Sequence, residues 1–180
     1  MIIKLVETGL NRISLIGTEH SDSAEQLRKL RRYIRDYKPD IVLVEGNFHN
    51  SDFENEEEAI EKGKEMGYIA FLCQNKGITL LSNDPPEKEM FGFVKKKYGE
   101  ETAKRYFDLR ENKSYADYFN PLLNIHNFNN ITRELNISRD RYMLRQILGL
   151  MDKYNNIMVV KGKYHINNNF ENIRYAIENV

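Results

Sequence analysis

The run from Asp40 to Glu45, DIVLVE, narrows the choice of fold more than any other segment. Isoleucine, valine and leucine follow one another there without polar alternation. That is the pattern of a strand covered on both faces, as in a parallel sheet flanked by helices. Parallel strands need crossovers, and the flanking sequence supplies them. Arg12 to Ile16 is a second β-rich run, ending at Gly17. Ser21 or Ser23 can cap a helix reaching about Tyr37, with Leu27, Leu30, Ile34 and Tyr37 on its buried face and Pro39 closing it. The spacing predicts another helix from Glu56 to Asn75, then Gly77 and a strand from Ile78 to Leu81 that ends in SNDPP at 82–86. Ile2 to Val6 precedes all this as a hairpin or edge partner, joined through Glu7 to Asn11.

From Glu87 to about Tyr154 the period becomes helical. Phe91, Phe93, Val94, Tyr98, Tyr106, Phe107, Leu109, Tyr115, Tyr118, Phe119 and Leu122 supply an aromatic-rich face, and Asn124 to Asn136 is a loop candidate. Ser138 can cap a helix from Arg139 to Lys153. Asn156 to Val160 is a last buried strand and Phe170 to Asn179 a terminal helix. The expectation is an α/β fold with a mixed, largely parallel sheet flanked by helices. It is read as one domain over 1–180, with a helical insertion or cap at about 87–154.

Lysine plus arginine and aspartate plus glutamate both number 27, which gives no charge-based case for nucleic acid. The basic run Arg28 to Arg32 lies on an amphipathic helix and reads as a solvated face. No stretch approaches the roughly 18 to 20 apolar residues a bilayer span needs, and the first residues lack signal-peptide features. No membrane role is expected, and the expected compartment is the cytoplasm. The single cysteine, Cys73, sits in an apolar run and reads as a buried structural thiol.

Three strands in this reading end in residues suited to acid–base or metal chemistry. One ends in Gly17-Thr18-Glu19-His20, one in Glu45-Gly46, and one runs through Lys161 into Gly162-Lys163-Tyr164-His165. Ligands of open α/β sheets collect outside the carboxyl ends of parallel strands, where all three would meet. With four histidines and ten glycines in the chain, about 0.2 chance occurrences of Gly-x-x-His are expected, so two at strand ends form a signal. Glycine would let the chain turn sharply off the strand. His20 and His165 with Glu45 make a mixed ligand set for a catalytic divalent ion with a position left for water. Glu19 is a candidate general base or outer partner. His49 and His126 are weaker ligand candidates.

These segments, together with Arg139-Asp-Arg-Tyr-Met143, resemble the TraB/PrgY/TIKI superfamily, which looks related to erythromycin esterases and to ChaN-like haem-binding lipoproteins. The resemblance covers the chain from near Arg12 to the terminal helix. It implies a mixed sheet flanked by helices and a hydrolytic site, metal-dependent and peptidase-like in one branch, histidine-activated in another. Carried over, His20 and His165 match the motif histidines, Glu45 the acid after the strand, Arg139 the family's arginine, and Glu65 the acid that starts the next helix. The implied ion is manganese, cobalt or zinc on His20, Glu45 and His165. The substrate is a peptide or a small molecule. Metal-free general-base hydrolysis by the same residues stays open. So does a non-catalytic protein that holds haem, a small molecule or a peptide, with Tyr164 or a motif histidine as an axial ligand. The chain is shorter than most members and lacks the membrane segments of the PrgY-like branch.

Overall fold

The computed structural model describes residues 1–46, 48, 53–112 and 128–179, with 110–112 in backbone only. His49, His126, Tyr115, Tyr118, Phe119 and Leu122 lie outside the described residues. The elements are β1 (Ile2–Thr8), β2 (Asn11–Thr18), α1 (Ala24–Tyr37), β3 (Ile41–Val44), α2 (Glu56–Lys76), β4 (Thr79–Ser82), α3 (Glu87–Tyr98), α4 (Glu100–Asn112), α5 (Phe128–Leu150), β5 (Asn156–Gly162) and α6 (Lys163–Glu178).

The five strands form one sheet in the order β1-β2-β5-β3-β4. β1 pairs antiparallel with β2, and every other pairing is parallel. The fold is α/β with a mixed, largely parallel sheet. β5, the last strand in the chain, enters between β2 and β3, so the crossover through α1 spans a gap that the chain fills only at its end. All four residues of β3 are buried, as the DIVLVE run requires.

Side-chain alternation sorts the core onto two faces. Ile16, Val42, Val44, Met158 and Val160 pack with Leu27, Leu30 and Ile34 of α1 and Met66, Ile69 and Cys73 of α2. Ile13, Leu15, Ile41, Leu43, Ile157 and Val159 pack with Met143 and Ile147 of α5 and Ile166, Ile173 and Ile177 of α6. Ser23 caps α1, its side chain accepting from Gln26 N.

The chain divides into two compact units, Met1–Asp84 with Asp140–Val180, and Pro85–Arg139. The second unit is helical, with Met90, Val94, Ala103, Tyr106, Phe107, Ile131 and Leu135 as its core. The helical stretch read to Tyr154 thus contributes to both units. Two further expectations change. Residues 128–136 are not a loop but the start of α5. The Ile131–Leu135 spacing buries an apolar stripe, and that packing outweighs the weak helix propensity of Asn129, Asn130 and Asn136. The terminal helix starts at Lys163 instead of Phe170, because Ile166 joins Ile173 and Ile177 on its buried side while Asn167 and Asn168 remain exposed.

Candidate functional site

Thr18 ends β2 and points to the face carrying α1 and α2. Its hydroxyl donates to Glu65 Oε1 at 2.8 Å. α2 breaks just before that acid: Lys64 has φ 47° and ψ −134°, so Glu65 opens the second helical segment. Only 1% of Glu65 is exposed, and its Oε2 has no hydrogen-bond partner among the described residues. His20 Nδ1 lies 3.1 Å from Glu65 Oε1, while the imidazole is half exposed. His20 Nε2 faces Glu45 Oε2 at 3.5 Å, and that same oxygen accepts from Gly162 N–H at 2.7 Å.

A half-exposed imidazole therefore stands between a buried carboxylate and a nearly buried one. As a carboxylate, Glu65 can accept from Nδ1–H, an arrangement that would fix the ring and leave the lone pair on Nε2. Nε2 and Glu45 can pass a proton between them at the open end. Both His20 (φ 51°) and Lys64 occupy the left-handed region. Such non-glycine backbone costs on the order of 1–3 kcal/mol per residue and gathers at sites where geometry matters more than stability.

The two Gly-x-x-His motifs interlock through their glycines. A Cβ on Gly17 would stand 2.8 Å from Lys163 Cα and 2.5 Å from Ile2 Cγ1. One on Gly162 would stand 2.7 Å from His20 Nε2 and 3.4 Å from Glu45 Oε2. Each glycine makes room for the opposite motif. Gly162 has an ordinary φ of −52°, so space rather than a sharp turn explains it. Exposed Lys163 and Glu19 add a 2.8 Å ion pair between the motifs. That ammonium, through its hydrogen bond and its charge, holds the Glu19 carboxyl below its usual range. Glu19 thus spends its charge on Lys163.

His165 enters a different group. It lies in the first turn of α6, 6% exposed, with Nδ1 at 2.7 Å from Asp140 Oδ1. Asp140 Oδ2 accepts from Asn169 at 2.7 Å. Lys161, fully buried, places Nζ 3.3 Å from Asp84 Oδ1 and 3.6 Å from Asp140 Oδ1. Asp84 Oδ2 accepts from Gly46 N–H at 3.0 Å.

His20, Glu45 and Glu65 are thus brought together. His165 pairs with Asp140, and Glu19 with Lys163. Arg139 is a buried residue of α5 in the helical unit. Among the described residues no group of three or more His, Cys, Asp or Glu side chains is arranged to hold a metal ion. Thr18, Lys161, Asp84 and Asp140 escape a reading of the sequence alone. Thr18 lies inside the first motif, Asp140 follows Arg139, and Asp84 sits in the SNDPP turn at a strand end, where a ligand search has reason to look. Lys161 is hidden because it reads as the tail of an apolar strand.

No known family model, curated protein or solved structure matches the chain.

Proposed function

We propose that the protein is a hydrolase in which His20, oriented by Glu65, activates water against a peptide, amide or ester. The observation that carries this reading is the buried carboxylate of Glu65 behind a half-exposed imidazole, 3.1 Å from Nδ1. His20 Nε2 takes the water proton as attack proceeds. The water oxygen forms the new bond to the acyl carbon. The imidazolium, with Glu45 beside Nε2 as a relay, then gives that proton to the departing nitrogen or oxygen as the old C–N or C–O bond breaks. Gly162 N–H holds Glu45 in position for the exchange. The TraB/PrgY/TIKI-like motifs agree with hydrolysis.

The expected ion ligands His20, Glu45 and His165 do not form a three-ligand group among the described residues. The three residues of the His20 centre can carry the proton transfers by themselves.

The test is a screen of mixed peptides, amides and esters with wild type and His20→Ala. Each runs with chelator and with added manganese, cobalt or zinc, beside elemental analysis of the purified protein. Turnover that survives chelation and falls by a factor of about 100 to 10,000 in His20→Ala supports general-base hydrolysis. Turnover that needs stoichiometric metal, lost in His20→Ala and His165→Ala, would replace it with metal-assisted hydrolysis. Absence of turnover in every arm would overturn the hydrolase reading.

A further inference from the structure

The second motif histidine belongs to a buried charge cluster that hydrolysis at His20 does not use. Lys161 is the odd feature. It is a lysine at 0% exposure, at the carboxyl end of the central strand. Leaving an ammonium there uncompensated is costly, so its partners define its role. By alternation along β5, Lys161 follows Ile157 and Val159 onto the face covered by α5 and α6, whereas Thr18 and its partner Glu65 lie on the other face. Asp84, from the loop after β4, and Asp140, from α5, each approach its Nζ. Asp140 is then fully engaged, with Oδ1 on His165 Nδ1 and Lys161 and Oδ2 on Asn169.

We infer that Lys161 is a positioning residue which, through Asp140, locks His165 in the tautomer with its proton on Nδ1 and its lone pair on Nε2. An ionised carboxylate can only accept, so Asp140 requires Nδ1 to be the protonated nitrogen. Lys161 Nζ lies against the same Oδ1 that meets Nδ1, and Asn169 donates to Oδ2, so both carboxylate oxygens are turned toward donors. Without the ammonium only Asn169 holds the carboxylate, and the acceptor that faces Nδ1 is no longer fixed. Together the two donors leave Asp140 little freedom to rotate. The protein thus contains two histidines, each with Nδ1 against a carboxylate, on opposite faces of one sheet edge. The consequence for turnover, a second proton acceptor at His165 Nε2, rests on the hydrolase reading. The tautomer does not.

The test is the pair of imidazole ¹⁵N shifts of His165 in wild type, Lys161→Met and Asp140→Asn, assigned through His165→Gln and read with the melting curve of each protein. Wild type is expected to show a protonated Nδ1 and an unprotonated Nε2, and both variants a loss of that state. Wild type with the proton on Nε2 overturns the proposal whatever the variants do. An unchanged tautomer in folded Lys161→Met overturns the role of Lys161. Should Lys161→Met fail to fold, Asp140→Asn decides, because its amide can donate to Nδ1 and release the lock. If a substrate is known, a kcat loss of about 100-fold or more in Lys161→Met with KM little changed extends the inference to catalysis. Unchanged kcat confines His165 to a structural role while leaving the His20 mechanism standing.

Discussion

The two Gly-x-x-His segments share a spacing and a position at the end of a β-strand, yet they build opposite environments. His20 is half exposed on left-handed backbone, with Glu65 and Glu45 beside it. His165 is buried in the first turn of a regular helix and tied into a cluster of Lys161, Asp84, Asp140 and Asn169. The first arrangement accepts backbone strain and leaves a carboxylate oxygen of Glu65 without a hydrogen-bond partner among the described residues. The second satisfies its charges. The same motif thus sits in an open position on one face and a closed one on the other, because parity along the strand and the next helix decide the surroundings.

That contrast is open to direct attack. Lys161→Met should cost about 3 kcal/mol in denaturant unfolding, since it removes the cation that Asp84 and Asp140 share. A loss under about 1 kcal/mol would remove the contrast. Gly17→Ala comes next, at about 1–3 kcal/mol, because its Cβ meets the Lys163 backbone, which cannot swing aside. Gly162→Ala meets the tip of the His20 ring instead, so its turnover should fall more than its melting temperature.

His20→Gly sharpens the comparison in the opposite direction. Removing left-handed strain is worth on the order of 1 kcal/mol and offsets the loss of the Glu65 contact, so this variant should melt close to wild type while losing turnover. A marked drop in melting temperature would give His20 a structural role like that of His165. The smallest effect is at Cys73, where burial pushes the thiol up to about 12 from 9.0. Its folded state disfavours the thiolate. The associated stability is complete below pH 9.0 and declines as pH rises toward 12. At pH 8 native protein should resist alkylation, and only unfolded chain should react.

Most of the sheet was legible because it follows from local pattern. DIVLVE gave β3, and the Leu27, Leu30, Ile34 and Tyr37 spacing gave the buried face of α1. Strand order was not legible, since no local feature says that β5 inserts between β2 and β3. The asparagine-rich stretches concealed helices whose stability comes from Ile131 and Leu135 in one case and Ile166 in the other, contacts that propensity does not report. At the site, His20 with Glu45 was readable from strand ends, and Glu65 from the resemblance alone. The separation of His165 from them was not readable, because spacing places a histidine at a sheet edge without saying which face its neighbours occupy.

The most direct measurement of the central claim is kcat for Glu65→Gln against wild type on whichever substrate the screen returns, with melting temperature measured on the same samples. The substituted amide would keep the size and a hydrogen-bond acceptor for Thr18 while removing the charge that orients His20. The expected result is a fall in kcat of about 100 to 10,000-fold with the melting temperature unchanged or higher, since a buried charge is replaced by a neutral amide of the same size. A folded Glu65→Gln protein with wild-type kcat would contradict the claim that Glu65 makes His20 the reactive group.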